Sequence, residues 1–540
     1  MRQLILGFVM LCAWAASAPF AAAIDLEQAR QQGWQVASAL ELGGSGDWFA
    51  AEASVADADP VVRDIVLWRK LRAGEGSLGE YNAYIARRSL WPGQKQLAEV
   101  MGQPFFTPRT PGLSGLAADN YGDFRGLYNA RKYDEAAVFL DAITGRIDNL
   151  GVPSRWADRR RRLARRAARE GLGNLAYRLA SQHYLSASDG YAYSDLEWLS
   201  GWVALTQLRE PGRAAGHFER FSASVETPIS LGRAGYWTGR AYEALGDTAQ
   251  AQKWYRLGAS YQTSFYGQLA AVKLGQPGDA RLASGALPDW RSNPALKTDD
   301  VRMAVIMHYA GQEVLAFATF DAIAKSLSDE TALGALGALA LELDRPHYAV
   351  RIAKAAARKG IVVHPVYYPL HDLAEYATKV EPAFAMSIAR QETELNPRAI
   401  SPAGARGLMQ LMPATAKRVA GWIDEEYSRG RLIEDWRYNA RLGQTYLSRR
   451  TGQFGGSYVM AAAAYNAGAH RVDQWLGDYG DPRLPGATTE DMIDWMENIP
   501  FRETRNYVQR VMEGLYVYRA RLTGQAGPMT IVQDLARGVR

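Results

Sequence analysis

The pattern of apolar and polar residues predicts helices along almost the whole chain. From about Leu26 to Gly275, apolar side chains recur at helical spacing in segments that are separated by short breaks. Ala, Leu, Arg and Glu are frequent, whereas long runs of Val, Ile or Thr are few, and this composition favours helix over strand. The pattern therefore predicts a mainly α protein that begins with a helical array.

Part of this array repeats. One segment places Trp198, Gly201 and Trp202 before Ala215 and Phe218. The same order returns roughly 36 to 40 residues later, in the residues Tyr236, Gly239, Tyr242, Ala251 and Trp254. This order resembles tetratricopeptide-like helix pairs, in which a small residue of one helix receives an aromatic side chain of the next. Residues 125–143 and 172–184 look like more degenerate units, so we expect an α-superhelix that can curl into a ring or a U.

Two breaks in the periodicity divide the chain. Residues 276–298 are rich in Pro, Gly and Ser, and residues 364–372 form a second joint rich in Pro and aromatic residues. A length of 540 residues also suggests two to four domains, at roughly 150 residues each. We predict an export signal, a superhelical domain, a helical linker domain and a C-terminal catalytic domain, at 1–23, 24–290, 291–365 and 366–540.

The first residues are typical of an export signal. An early Arg2 precedes an apolar run from Leu4 to about Ala16, and Ala21 and Ala23 occupy the −3 and −1 positions of a cleavage site. An uncleaved membrane anchor is the alternative, which the small residues at the end of the run disfavour. Lipidation of Cys12 is disfavoured by the preceding large residue, Leu11. Because Cys12 is the single cysteine, the processed chain would contain neither disulfides nor a thiol nucleophile.

Composition excludes some classes of protein. Apolar residues make up 48% and charged residues 22%, which rules out a disordered or fibrous chain. The formal charge of +5 fits an anionic polymer as partner, although a modest excess of charge is weak support. Eight arginines lie between Arg155 and Arg169, without neighbouring aromatic or basic elements that would contact nucleic acid. We interpret them as a solvated or ion-paired helix face, with an anionic wall polymer as the alternative partner, and expect no nucleic-acid binding.

The stretch "RQETELNP" (390–397) carries two glutamates at the end of a predicted helix. Pro382 suits the first turn of this helix, and the Asn396–Pro397 pair is expected to stop it. Glu392 lies four residues after Ile388 and eight after Phe384, so it falls on the apolar stripe. Glu394 is about 200° further around the helix and four residues from Arg390, which predicts an exposed ion pair. A carboxyl on an apolar stripe should have a raised pKa and remain a proton donor near neutral pH. A buried glutamate satisfied by backbone or arginine contacts is the structural alternative.

Three later segments add to this picture. The first, "GARGLMQLMPATA" (404–416), contains Gln410 among apolar residues, where its amide could orient a neutral ligand, and Pro413 opens a new predicted helix. The second, "AAYNAG", ends an Ala-rich helix with Tyr465 and Asn466 and a glycine stop. The third is "NIPFRETRNYV" (498–508). Together with "RQET", these segments resemble the soluble lytic murein transglycosylase family, which has a goose-lysozyme-like α+β catalytic domain, over roughly residues 375 to 520.

The resemblance implies specific roles. Glu392 corresponds to the family's single catalytic acid, and Thr393 stands where the family has serine. Thr393 and Glu503 are implied to be supporting residues. Substrate-binding roles are implied for Ser401, Gln410, Met412, Tyr465, Asn466 and Glu497. Tyr465 is the candidate for holding Glu392 by its phenol. Core packing is the alternative for Tyr465 and Gln410, and an ordinary ion pair or helix cap is the alternative for Glu503.

The implied reaction cleaves the β-1,4 bond between N-acetylmuramic acid and N-acetylglucosamine and leaves 1,6-anhydro ends. The resemblance implies a periplasmic monomer that acts on peptidoglycan strands, and it leaves open cell-wall synthases or other wall enzymes as partners. We expect no cofactor and no metal, because His364 and His470 are isolated. Two alternatives remain. One is a hydrolytic muramidase with a second carboxylate, for which the candidates are Asp424, Glu425, Asp473 and Glu490. The other is a helical scaffold that binds glycan or protein without turnover.

Overall fold

The computed structural model describes residues 24–100 and 112–539, which form 29 α-helices and five 3₁₀ helices. The predicted export signal, including Cys12, lies outside the described residues. Within them, β structure is limited to two isolated antiparallel bridges, Ile400–Arg406 and Arg406–Leu411. The mainly α prediction is therefore confirmed, and the β part expected in the catalytic domain is reduced to these two bridges. No helix of the described chain is long and apolar enough to cross a membrane.

The helices follow one another with short connections. The first nine are α1 (Leu26–Gly44), α2 (Trp48–Ala53), α3 (Pro60–Arg72), α4 (Leu78–Arg87), α5 (Gln94–Val100), α6 (Gly115–Asn129), α7 (Tyr133–Ile143), α8 (Ala157–Arg169) and α9 (Gly173–Ser181). The next nine are α10 (Tyr191–Thr206), α11 (Pro211–Ala223), α12 (Pro228–Ala244), α13 (Thr248–Ala259), α14 (Phe265–Lys273), α15 (Asp299–Tyr309), α16 (Glu313–Ser326), α17 (Glu330–Glu342) and α18 (Pro346–Ala357).

The C-terminal part contributes eleven more. They are α19 (His364–Tyr367), α20 (Leu373–Tyr376), α21 (Pro382–Thr393), α22 (Pro413–Trp422), α23 (Arg431–Glu434), α24 (Trp436–Gln453), α25 (Tyr458–Ala467), α26 (Ala469–Tyr479), α27 (Thr489–Asn498), α28 (Arg502–Thr523) and α29 (Ile531–Leu535). The five 3₁₀ helices are Ile147–Asn149, Pro153–Arg155, Ala187–Asp189, Ala280–Leu282 and Pro294–Leu296.

The chain forms two compact units. One contains residues 24–100 and 289–326, and the other contains 112–288 and 327–539. The segment predicted as a helical linker therefore contributes α15 and α16 to the first unit, and α17 and α18 to the second. The predicted domain boundaries at 290 and 365 remain predictions.

In the first unit, α15 joins the N-terminal helices. A Cβ atom on Gly33 of α1 would lie 2.6 Å from Cβ of Tyr309, so the two helices touch at their backbones. Arg88 bridges two carboxylates, at 2.7 Å from Asp64 and 2.8 Å from Asp299. A close apolar contact and an ion-paired arginine thus tie α15 to the start of the chain.

In the second unit, the repeated helices pack as the sequence predicts. A Cβ on Gly201 would lie 2.6 Å from the Phe218 ring, and one on Gly239 would lie 2.5 Å from the Tyr255 ring. A small residue of α10 or α12 thus receives an aromatic side chain of the following helix. In the second repeat this aromatic residue is Tyr255, whereas the sequence pattern pointed to its neighbour Trp254.

The arginine-rich helix α8 is ion-paired and partly buried. Arg160 is fully buried, and its guanidinium donates to the Leu179 carbonyl at 3.1 Å and to the Thr144 hydroxyl at 2.6 Å. Arg162, on the opposite side, is exposed and pairs with Asp158 at 2.7 Å. The predicted ion-paired face is confirmed, but three of the eight arginines, Arg160, Arg161 and Arg165, are buried in the packing of α8 instead of facing solvent.

Helices α21, α25 and α28 form the core that positions the candidate site. Four consecutive alanines of α25, Ala461 to Ala464, are fully buried, which lets neighbouring helices approach closely. On α28, a Cβ on Gly514 would lie 2.3 Å from the Ser387 hydroxyl of α21, and this hydroxyl donates to the Val511 carbonyl at 2.6 Å. The end of α21 is therefore fixed against α28.

Candidate active site

Glu392 lies in the last turn of α21. Pro382 occupies the first helical turn, as predicted, and Phe384 and Ile388 are fully buried. The helix ends at Thr393, because Glu394 adopts the left-handed conformation with φ of 57°. This end comes before the Asn396–Pro397 pair that the sequence suggested as the stop. Glu392 is half-buried, so it lies at the edge of the core and not in its centre.

Within the described part of the chain, the carboxyl of Glu392 has one side-chain hydrogen bond and is shielded from water. Tyr507 donates from its hydroxyl to Oε1 of Glu392 at 2.7 Å. Burial raises the pKa of Glu392 to about 7, against the lowering effect of the Tyr507 hydrogen bond, and the charge of Glu503 adds to the rise. A substantial fraction of Glu392 is therefore protonated near neutral pH, as a general acid requires.

Glu394 belongs to a different contact. Its side chain is 16% exposed and pairs with Lys354 at 2.8 Å and Arg351 at 3.2 Å, both on α18. Arg390, the partner that the sequence suggested, is buried and donates from Nε to the Tyr367 carbonyl at 2.9 Å. The prediction of an exposed Glu394–Arg390 pair is wrong, because the helix ends before Glu394 and turns its side chain towards α18.

Thr393 supports the end of the helix. Its hydroxyl lies 2.9 Å from the Leu408 carbonyl and 3.1 Å from the Ala389 carbonyl. The first contact ties the end of α21 to the loop at 399–412, and it needs only the hydroxyl that threonine shares with serine.

Tyr465 lies near Glu392 but does not hold its carboxyl. The Tyr465 hydroxyl donates to the Met409 carbonyl at 2.8 Å. Burial raises the pKa of Tyr465 well above its usual range, and the nearby charge of Glu392 adds to this effect. The residue that donates to Glu392 is Tyr507, which was not singled out from the sequence. It stands at the end of the "NIPFRETRNYV" motif, so the signal that could have identified it was present.

The loop between α21 and α22 carries three of the predicted binding residues. Gln410 has φ of 47°, and its amide nitrogen donates to the Ala399 and Gly407 carbonyls at 3.1 and 3.0 Å. Both amide hydrogens are thus used, which leaves the amide oxygen as the group that can accept from a ligand. The Ser401 hydroxyl accepts from the Ala405 backbone N–H at 3.0 Å. Met412 is 44% exposed, as a residue on a cleft wall would be.

Asn466 and Glu503 flank the start of α28. The side-chain oxygen of Asn466 accepts from the Thr504 hydroxyl at 2.6 Å, which links α25 to α28. Glu503 is exposed in the first turn of α28, and within the described residues it forms no ion pair. Its charge reaches Glu392, since it raises the pKa of that carboxyl. The structure therefore does not support the alternative in which Glu503 forms an ordinary ion pair.

Glu497, predicted to contact substrate, is instead fully buried. It accepts from the Tyr266 hydroxyl at 2.5 Å and the Gln509 amide at 2.9 Å, and pairs with Arg233 at 2.6 Å and Arg165 at 3.5 Å. Burial opposes ionisation, but the surrounding guanidinium groups lower the pKa of Glu497 to about 2. Glu497 therefore joins α8, α12 and α14 to α28 as a buried ion-pair centre, and has no surface to offer a sugar.

The four carboxylates suggested as a second catalytic group are either ion-paired or exposed. Glu425 accepts from Arg441 at 2.8 Å, and Glu490 pairs with Lys273 at 3.2 Å. Asp424 and Asp473 are exposed. The acidic side chain with an electrostatic effect on Glu392 is Glu503, which was not among those candidates. Among the described residues, no group of three or more His, Cys, Asp or Glu side chains is arranged to hold a metal ion.

Comparison with known proteins places this site in a defined domain. Residues 370–483 match the family described as "Transglycosylase SLT domain", and residues 498–526 match "Soluble lytic transglycosylase helical domain". Proteins named soluble lytic murein transglycosylase are 41% identical in Salmonella typhimurium and 39% identical in Escherichia coli, each over 142 residues. These alignments cover 26% of this chain and 21% of each relative, so the relatives are matched over about a fifth of their length.

Two solved structures share the fold at low identity. The lytic transglycosylase Slt of Pseudomonas aeruginosa, solved as an inactive mutant, aligns with a TM-score of 0.56 and 22% identity, covering 94% of this chain and 83% of that one. The 70-kDa soluble lytic transglycosylase of Escherichia coli aligns with a TM-score of 0.51 and 19% identity, covering 96% and 100%. Both likenesses support the predicted superhelical fold class. The resemblance that the four motifs indicated is thereby confirmed, and residues 370–483 of this chain match a transglycosylase SLT domain.

Proposed function

We propose that this chain is a peptidoglycan lytic transglycosylase with Glu392 as its single general acid and base. The observation that carries the proposal is the Glu392 carboxyl, with a pKa of about 7 and a hydrogen bond from Tyr507, inside an SLT domain. Relatives matched over this region are named soluble lytic murein transglycosylases, which agrees with this activity.

In the proposed reaction, protonated Glu392 donates to the glycosidic oxygen between N-acetylmuramic acid and N-acetylglucosamine. The acetamido oxygen of the muramic acid attacks its own C1 as that bond breaks, so no nucleophilic side chain is required. The Glu392 carboxylate, stabilised by the Tyr507 hydroxyl, then takes the proton from the C6 hydroxyl. The C6 oxygen bonds to C1 as the bond between C1 and the acetamido oxygen breaks, which restores the acetamido group. The product is a 1,6-anhydro end, and Glu392 regains its proton. In this proposal Ser401, Gln410, Met412 and Asn466 contact the glycan.

The test is product analysis of purified sacculi. The parent protein should release fragments with 1,6-anhydro-muramic ends, detected by mass spectrometry, and Glu392→Gln should release about 10³-fold less or none, as expected when the only proton donor is removed. Arg256→Glu, at an exposed position on α13, is a matched control that should retain the parent's products. Equal release by the parent and Glu392→Gln would refute the role of Glu392.

A hydrolytic muramidase is the second candidate, favoured by one observation, the proximity of the Glu503 charge to Glu392. If Glu503 activates water, the same analysis yields reducing ends instead of anhydro ends, and Glu503→Gln abolishes their release. A non-catalytic scaffold would bind sacculi and release nothing.

For the setting of this activity, we propose the bacterial periplasm, reached by way of an export signal at residues 1–23, and a monomeric enzyme. Peptidoglycan is cell-wall material, and the matched relatives are bacterial proteins that carry murein in their names. Cell-wall synthases or other wall enzymes are further candidate partners. Size-exclusion chromatography of the purified protein tests the monomer, and N-terminal sequencing of protein recovered from a periplasmic extract tests cleavage after Ala23.

A further inference from the structure

The arginine-rich helix α8 borders a cavity of about 420 Å³ at the corner between α27 and α28. Among the described residues, one aspartate and six arginines line it, and the arginines are Arg161, Arg162, Arg165, Arg169, Arg502 and Arg505. No residue of α21, which carries Glu392, is part of this wall. The volume is within the usual range for ligand pockets, about 300–1,000 Å³. We call this space the arginine cavity.

The four arginines that α8 contributes share one side of the helix. Arg161, Arg165 and Arg169 follow one another at intervals of four residues, and Arg162 lies three residues before Arg165. Side chains at these spacings are neighbours on one face of a helix. Arg160 lies on the opposite side, where it donates to the Leu179 carbonyl. The arginine run therefore presents a cationic stripe to the cavity.

One carboxylate serves three buried guanidinium groups beside the cavity. Arg165 and Arg505 are 6% and 4% exposed. Glu497 lies 3.5 Å from Arg165, 3.6 Å from Arg505 and 2.6 Å from Arg233 of α12. Three positive charges thus share one negative charge, whereas buried charges are normally paired.

The outer part of the wall adds to this excess of positive charge. Arg161 and Arg162 are balanced by two aspartates. Arg169 and Arg502, in contrast, have no carboxylate partner within the described chain, and Arg502 instead donates to the hydroxyl of Tyr191 at 2.6 Å. The carboxylates of the fold therefore leave several guanidinium charges of the cavity uncompensated.

Two of the buried arginines show the cost of this arrangement. Arg165 donates from Nη1 to the Glu497 carbonyl at 3.0 Å, whereas its buried Nε donates to no acceptor of the described residues. Burial and the charge of Arg165 lower the pKa of Arg505 to about 9, because both disfavour a second positive charge. Buried donors are normally satisfied, so an anion with several acceptor oxygens would be favoured here.

We propose that the arginine cavity binds a phosphoryl group, as a phosphate monoester or a diphosphate. Guanidinium groups form bidentate, charge-assisted hydrogen bonds with phosphate oxygens. A phosphate monoester carries about −1.5 to −2 charges near neutral pH, so it offsets more of the excess than the single charge of a carboxylate. Pro500 and Phe501 complete the wall, and Phe501 is 44% exposed, which provides an apolar edge for the organic part of the ligand. A soluble ester and a lipid headgroup both present this chemistry.

The binding test is calorimetry of the full chain with inorganic phosphate and pyrophosphate, at an ionic strength held constant with sodium chloride. Acetate is the ligand control, because it carries a single carboxylate charge. We expect pyrophosphate to bind more tightly than phosphate, and acetate to bind at least about tenfold more weakly than phosphate. Equal affinity for acetate and phosphate would overturn the assignment to a phosphoryl group. If the protein bound none of the three anions, the site itself would be refuted.

Variants locate the binding in the cavity. Arg169→Gln should weaken pyrophosphate binding about tenfold, and Arg169→Lys should restore part of it, since a lysine keeps the charge but not the bidentate geometry. Arg256→Gln, at an exposed position on α13, makes the same change of charge away from the cavity and should bind like the parent. Equal affinity of Arg169→Gln and Arg256→Gln would overturn the site. Thermal unfolding checks that each variant is folded, and the exposed Arg162→Gln replaces Arg169→Gln in this comparison if the latter is not.

A second arm separates the two sources of the phosphoryl group. The protein is sedimented with vesicles of phosphatidylcholine, with or without phosphatidic acid, whose headgroup is a phosphate monoester. Binding that needs phosphatidic acid, that pyrophosphate displaces and that Arg169→Gln loses would identify a lipid headgroup as the ligand. Pyrophosphate binding without vesicle binding would identify a soluble ester, and vesicle binding that Arg169→Gln and Arg256→Gln retain equally would refute the lipid headgroup. Neither arm requires peptidoglycan cleavage, so a failed binding test leaves the proposed function unaffected.

Discussion

Tyr507 donates a hydrogen bond to Oε1 of Glu392 at 2.7 Å, although the two residues are 115 positions apart in the chain. The bond depends on the packing of α21 against α28, whose close approach at Ser387 and Gly514 leaves no room for a side chain on Gly514. The pKa of the candidate acid is therefore set jointly by burial at the end of one helix and by a phenol on another.

Replacing Tyr507 by Phe should slow cleavage and shift its pH dependence. The Tyr507 hydrogen bond lowers the pKa of Glu392, so its loss should move the alkaline limb of the pH–rate profile to higher pH. The rate at the optimum should fall about 10- to 100-fold, because the carboxyl loses the group that orients it. Tyr465→Phe removes a hydroxyl that is bound to Met409 and should leave the limb in place. If the alkaline limb of Tyr507→Phe moved to lower pH, the hydrogen bond from Tyr507 to Glu392 would not have the effect assigned to it.

The wild-type protein should lose activity as the pH rises through about 7, because the proton donor Glu392 then ionises. The free energy of unfolding should also depend on the ionisation of Glu392. The folded-state pKa of about 7 exceeds the ordinary value of 4.5, so ionisation opposes folding and the wild type should lose stability as pH rises between these values.

Glu392→Gln cannot ionise, so its stability relative to the wild type should increase by about 3 kcal/mol between pH 4 and pH 8. Urea unfolding of both proteins at the two pH values measures this difference. If the two proteins differed in unfolding free energy by the same amount at both pH values, the carboxyl would not be held in an apolar setting.

Thr393 should tolerate serine but not valine. Thr393→Ser keeps the hydroxyl that contacts the Leu408 carbonyl and should retain activity within about twofold, whereas Thr393→Val leaves that carbonyl without its donor and should lose about tenfold. Steady-state rates on sacculi compare the two variants. Similar rates for Ser and Val would show that the hydroxyl contact does not matter for the position of Glu392.

Glu497→Gln should strongly destabilise the second compact unit. The substitution leaves the guanidinium groups of Arg165 and Arg233 buried without their counter-charge, which costs about 3–5 kcal/mol in comparable buried pairs. Denaturant unfolding measures the loss, and Glu426→Gln at an exposed position of the same unit should change stability by less than about 0.5 kcal/mol. A neutral Glu497→Gln would mean that the arginines find other partners.

Gly239→Ala should destabilise the superhelical array by about 1–3 kcal/mol, because the new Cβ would lie 2.5 Å from the Tyr255 ring and force the two helices apart. Gly216→Ala on α11 is the matched control, since the nearest atom to its Cβ would be 3.6 Å away at the end of the Arg220 side chain. It should be neutral or slightly stabilising. Equal effects of the two substitutions in thermal unfolding would contradict the packing of α12 against α13.

The local features of the site were predictable from the sequence. Helical spacing placed Glu392 on the apolar stripe of α21, and Pro382 and Pro413 marked helix starts that the structure has at the same positions. The repeat of small and aromatic residues identified the contact of Gly201 with Phe218. Each of these features depends on residues close together in the chain, whose spacing fixes which side of a helix they share.

Which residues meet across helices was decided by the tertiary structure. The sequence marked Tyr465 as the partner of Glu392, whereas the packing of α28 on α21 brings Tyr507 to that carboxyl. The sequence also marked Glu497 as a substrate contact, whereas four helices enclose it among arginines. The sequence motif is the same whether its carboxylate contacts a substrate or is buried in ion pairs. Which of the two occurs depends on arginines that are hundreds of residues away in the chain. The sequence by itself therefore determined the helices, the family resemblance and the candidate acid, and the folded chain decided its hydrogen-bond partner and which charges are buried.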